Sequence, residues 1–204
     1  MSQAAIEHAA GMAGEYEKPA LGVSWQKLMM WIFIVSDGLL FAGLLAGYGF
    51  VRVASPSWPD RQEVFHLEMI GFMTFLLISS SATMASAVAA AGRADTRATV
   101  RYLLLTILGG LAFLGMQAYE WTSLIQEGAR LSSNPWGVAA FGAVFFVITG
   151  FHGSHVLSGV VLLAITAWRM AAGKSTAGGV ELAGLYWHFV DLVWVFIFTL
   201  FYLI

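Results

Sequence analysis

The chain has 204 residues, 59% of them hydrophobic and only 11% Asp, Glu, Lys or Arg, with a net charge of −2. A typical soluble domain is about 25% charged, so this composition excludes disorder and argues for an integral membrane protein. The absence of cysteine excludes a disulfide scaffold and a thiolate-held metal or iron–sulfur site, and the charge balance gives no reason to expect nucleic acid.

Residues 1–24 hold Glu7, Glu15, Glu17 and Lys18 and lack a basic start followed by an apolar run, so they read as a short tail rather than a signal peptide. Five apolar stretches follow, at about 26–51, 67–91, 100–125, 138–170 and 181–204. Each exceeds the ~20 residues that a helix needs to cross the hydrocarbon core. None alternates with the period of two expected of a barrel strand. The connections are short: a first around Pro56, Trp58 and Pro59, a second over 92–99, a third over 128–136 and a fourth over 173–179. The expected fold is all-α, a bundle of five transmembrane helices over residues 25–204.

Orientation follows from the basic residues. The tail side carries Lys18, Lys27, Arg93, Arg97, Arg101, Arg169 and Lys174, and the other side only Arg52, Arg61 and Arg130. This bias places the N-terminus in the cytoplasm and Ile204 outside.

Polar groups inside such helices are costly and need a reason. The first helix carries Asp37, the second Glu68, the third Gln117 and Glu120, the fourth His152 and His155, and the fifth His188 and Asp191. The last three pairs are spaced i, i+3, so each lies on one helix face. A rise of ~1.5 Å per residue puts Asp37, His155, His188 and Asp191 in an inner-to-middle layer, with Glu68 and Glu120 in an outer one. Comparable depth pairs His155 with Asp191 and leaves Asp37 facing outward. Three readings of this buried polar layer stand side by side: interhelical hydrogen bonding, proton handling, and metal or haem ligation. The spacing of His152 and His155 is not that of the helical zinc motif, which wants i, i+4. Gly43 with Gly47, the run Ser79–Thr83, and the recurrence of Gly150, Ser154 and Ser158 point to close helix packing. Trp25, Trp31, Trp58, Trp136 and Trp168 fall near helix ends, as interfacial aromatic belts do.

Four segments, in order on four helices, carry a resemblance. Ser36-Asp37 followed by Phe41-Ala42-Gly43, Gln117-Ala118-Tyr119-Glu120, Thr149-Gly150-Phe151-His152-Gly153-Ser154-His155-Val156 with Gly159, and Tyr186-Trp187-His188-Phe189-Val190-Asp191-Leu192-Val193-Trp194 resemble the signatures of subunit III of haem–copper terminal oxidases. The resemblance spans roughly residues 25 to 204. It departs from the larger members in having room for five helices rather than seven, and in carrying Asp37 where the family has a membrane glutamate. A carboxylate one methylene shorter changes its reach.

The resemblance implies a subunit of a dioxygen-reducing, proton-pumping complex in a bacterial inner membrane. It implies no catalytic, metal or cofactor-binding residue in this chain, the haems and copper lying in partner subunits. Subunit I is the implied main contact, beside other oxidase subunits and structural phospholipids. Arg169 and Lys174, at the inner end of the fourth helix, are expected to meet lipid head groups. Two other readings come from different classes: the similar accessory protein of nitric oxide reductase, and an independent channel or transporter. The latter predicts a polar stripe or an inverted repeat, and neither is found in the sequence.

Overall fold

The computed structural model describes residues 22–204, so Glu7, Glu15, Glu17, Lys18 and the tail assigned to 1–24 lie almost wholly outside the described residues. Five helices are long and apolar enough to cross a bilayer. They are α1 (Trp25–Ala54), α3 (Leu67–Gly92), α4 (Thr96–Gln126), α5 (Ala139–Ala171) and α6 (Ala177–Phe198). A short α2 (Arg61–Val64) interrupts the first connection, and a π-helical turn (Thr199–Leu203) continues α6. Among the described residues there is no strand.

The helix starts differ from the apolar stretches for a local reason. Asp95 caps α4 by accepting from the Ala98 N–H at 3.0 Å, and Thr176 caps α6 by accepting from the Gly179 N–H at 3.3 Å. These caps begin each helix four residues before its apolar run, because a capped first turn tolerates polar residues. The second connection therefore shrinks to Arg93–Asp95, with Ala94 in a left-handed conformation at φ 58°.

Helix α6 is the hub. It packs on α1, α3 and α5, while α4 packs on α3 and α5. Trp187 shows why. Its indole lies against Gly110 of α4 and Gly159 of α5, and its Nε1 donates to Ser80 Oγ of α3 at 3.1 Å. A Cβ on Gly110 would sit 2.5 Å from the Trp187 ring, so only glycine admits the ring there. Helix α1 lies at the edge, packed mainly against α5 and α6. The Gly43 and Gly47 step has nothing within 4 Å of either position. The close approaches inside the chain use Gly109, Gly110, Gly150 and Gly159 instead.

Candidate functional site

Asp37 and His155 meet between α1 and α5. His155 Nε2 stands 3.3 Å from Asp37 Oδ2, a charge contact rather than an aligned hydrogen bond. His155 Nδ1 is 2.8 Å from the Phe151 carbonyl. A carbonyl only accepts, so Nδ1 carries a hydrogen and donates. That leaves Nε2 as the ring atom that faces the Asp37 carboxylate. Phe41 packs against the pair, edge-on to His155 with ring centroids 5.4 Å apart and tilted against Phe151 at 5.0 Å. Tyr186 of α6 closes a further side of the pair by donating to the His155 carbonyl at 3.2 Å and meeting Ser158 Oγ at 2.6 Å.

This geometry corrects two sequence expectations. His155 pairs with Asp37 and not with Asp191, and Asp37 has a partner within the chain. Rise per residue fixes height along a helix but not the direction in which a side chain leaves it. Asp191 and His188 leave α6 toward α3. His188 Nδ1 lies 2.6 Å from Ser81 Oγ, and the Ser81 hydroxyl faces Asp191 as well. The α3 hydroxyls continue this ladder: Thr74 Oγ1 accepts from Trp194 Nε1 at 2.9 Å, and Thr83 meets Thr106 of α4 at 2.7 Å. Small side chains bring the helices close, and their hydroxyls supply the hydrogen bonds.

The remaining polar residues gather toward the end of the bundle that carries α2. Glu120 is 1% exposed, Gln117 6% and His152 0%. Among the described residues, none of their buried side-chain nitrogen or oxygen atoms has a well-formed hydrogen-bond partner. His66, which precedes α3, approaches Glu120 with Nδ1 3.5 Å from Oε2. Glu68 does not belong with them. It is exposed in the first turn of α3, where a carboxylate favours the helix N-terminus. His66, Ser81, Tyr186 and Tyr202 were not picked out as site residues from the sequence. The one legible signal was a histidine at the mouth of a helix opposite a buried glutamate.

At the other end, Arg169 and Lys174 are exposed beside a groove of about 370 Å³ between α1, α5 and α6. Met30, Leu162 and Leu182 give its walls an apolar lining, and Ser175 and Thr176 sit with the two cations at its polar end. Arg169 donates to the Lys174 carbonyl at 3.4 Å, and Lys174 Nζ lies 6.0 Å from the Trp168 ring centre. Among the described residues no three His, Asp or Glu side chains converge as a metal-binding group.

The sequence matches the family model described as cytochrome c oxidase subunit III over residues 8–204. It is 34% identical to cytochrome c oxidase subunit 3 of Thermostichus vulcanus, over 98% of this chain and 92% of that protein. It is similar to cytochrome c oxidase subunit 3 of Bacillus sp. strain PS3, 33% identical over 86% of this chain and 84% of the relative. A probable cytochrome c oxidase subunit 3 of Mycobacterium tuberculosis is 36% identical over 85% of each chain.

Proposed function

The chain belongs to the cytochrome c oxidase subunit III family, and on that premise we propose that it is the non-catalytic subunit III of a proton-pumping haem–copper oxidase in a bacterial inner membrane. The observation that carries this is the match over residues 8–204, which takes in all five long helices. In this role the chain stabilises subunit I, and the haems and copper of dioxygen reduction sit in the partner subunits. A tag on the N-terminal tail should recover a haem-containing complex that consumes dioxygen. Recovery of a haem-free chain with full stability would overturn the assignment.

Two finer roles accompany it. The groove beside Arg169 and Lys174 holds an anionic phospholipid, its phosphate on the two cations and its chains along Met30, Leu162 and Leu182. This reading is supported by the groove's division into a basic end and apolar walls. Delipidated complex carrying Arg169→Ala should retain less phospholipid by mass spectrometry than wild type, and equal retention would remove the site. The Asp37–His155 pair, set at the edge helix, supports proton uptake by subunit I. Its loss should appear as faster inactivation during turnover rather than a lower initial rate.

The proposed orientation has the N-terminus in the cytoplasm and residue 204 outside. The described basic residues favour it: Lys27, Arg93, Arg97, Arg101, Arg169 and Lys174 at one end, and Arg52, Arg61 and Arg130 at the other. The chain has no cysteine, so single substitutions report topology directly. Ser132→Cys should react with an impermeant maleimide in intact cells, and Ala172→Cys only after lysis.

A further inference from the structure

Nine buried side-chain nitrogen or oxygen atoms lack a partner within the described residues, and seven of them belong to Gln117, Glu120, His152 and Tyr202. The four side chains are each more than nine-tenths buried. They come from α4, α5 and the π-helical turn, and the aromatic rings between them tie them into one region. His152 stacks on Trp194 at 5.2 Å and meets the edge of Phe113 at 5.8 Å. Phe113 and Trp194 touch each other at 4.7 Å, and Tyr202 lies 6.2 Å from Trp194. Gln117 and Glu120 follow Phe113 on α4 by about one and two turns.

The chemistry of this set is complementary rather than repulsive. Gln117 brings two donor hydrogens and an acceptor, Glu120 acceptors, Tyr202 a hydroxyl, and His152 one ring nitrogen of each kind. Buried groups of this sort are bridged by water molecules that make about three hydrogen bonds each. We propose that Gln117, Glu120, His152 and Tyr202 form an internal hydration site that holds a small water cluster, with His66 as its mouth. The His66 side chain is 56% exposed, contributes no side-chain cap to α3, and stands 3.5 Å from Glu120, which places it between the buried set and the outside. The site also reaches the Asp37 pair. Phe41 packs against both His152, at 6.3 Å, and His155, at 5.4 Å, and the two histidines are one turn apart on α5. The cluster thus brings exchangeable water from the α2 end of the bundle to within one helical turn of His155.

Radiolytic hydroxyl-radical labelling of the assembled complex tests this, because it oxidises a buried side chain only where a water molecule lies against it. Tyr202 and Trp187 are each 1% exposed, which makes them a matched pair. Tyr202 and His152 should be labelled severalfold more than Trp187, although indole is intrinsically the more reactive ring. In H₂¹⁸O the label at Tyr202 should take up the heavy isotope rapidly. His66→Trp, at an exposed position, should slow that uptake severalfold and leave Trp187 unchanged. Label on Tyr202 no greater than on Trp187 would overturn the hydration site. Unchanged uptake in His66→Trp would overturn the mouth.

Discussion

Helices α1 and α6 lie side by side and are both apolar enough to span a bilayer, yet they use their surfaces in opposite ways. Helix α1 buries Asp37, Phe41 and Tyr48 out of 30 residues, whereas α6 buries ten of 22. The side chains that α1 leaves outside include Met29, Ile32, Val35, Leu39, Phe50 and Val53. In water such a helix would be misfolded. In lipid, apolar exposure costs nothing, so burial there is decided by packing and hydrogen bonding. Helix α6 wins the centre because its tryptophans and its polar tips find complementary notches and hydroxyls on its neighbours. Helix α1 is attached at a few points: Asp37 to His155, Tyr48 Oη donating to the Leu200 carbonyl at 2.9 Å, and Lys27 to Glu181.

The strongest break of this contrast is Trp187→Ala. It opens a cavity between Gly110 and Gly159 and strips Ser80 of its donor. A loss of about 3–5 kcal/mol is expected, from the range for large aromatic truncations. The complex should lose this subunit on purification, and its thermal midpoint should fall. An unchanged midpoint would mean that α6 is not the hub.

Glycine substitutions sharpen the same contrast. Gly110→Val drives a branched side chain into Trp187 and Val160, with an expected cost of about 1–3 kcal/mol. Gly47→Val on α1 enters open space and should cost the chain itself no more than about 0.5 kcal/mol. If Gly47→Val nonetheless releases the subunit from the oxidase, the partner face lies on that side of α1.

The attachment of α1 comes next. A double-mutant cycle with Asp37→Asn and His155→Gln should give a coupling near 0.6 kcal/mol and no more than about 1.7, the range for interhelical hydrogen bonds in membranes. Asp191→Asn should show no coupling to His155, because Asp191 faces Ser81. Coupling between His155 and Asp191 would restore the pairing suggested by depth alone.

The number of helices and the residues that interrupt their apolar faces were legible in the sequence, since both follow from composition along one dimension. What was not legible depends on azimuth and on partners. Depth along a helix suggested one partner for His155, but the direction in which each side chain leaves its helix gave it Asp37 and turned Asp191 to Ser81. Glu68 looked like a buried group because it begins an apolar stretch, yet it lies on the exposed side of the first turn of α3. Gly43 and Gly47 formed the more recognisable motif, and Gly110 does the packing, because a motif specifies a smooth surface and not what lies against it. The helix starts at Thr96 and Ala177 precede the apolar runs by four residues, because hydropathy does not see a cap.

The smallest expected effect is at the N-terminal ends of the same two helices. Lys27 Nζ and Glu181 Oε1 are 2.5 Å apart, but their side chains remain 35% and 43% exposed. A pair this open to water and ions contributes at most about 1 kcal/mol, and salt screens it. Glu181→Gln should therefore shift the thermal midpoint slightly in dilute buffer and not at all in high salt. The Asp37–His155 coupling, sheltered by Phe41 and Phe151, should hold its value across the same salt range. The two contacts join α1 to its neighbours at different depths, so their salt responses separate an edge held from within the membrane from one held at its surface. If both contacts fade with salt, water reaches Asp37, and the attachment of α1 is superficial along its whole length.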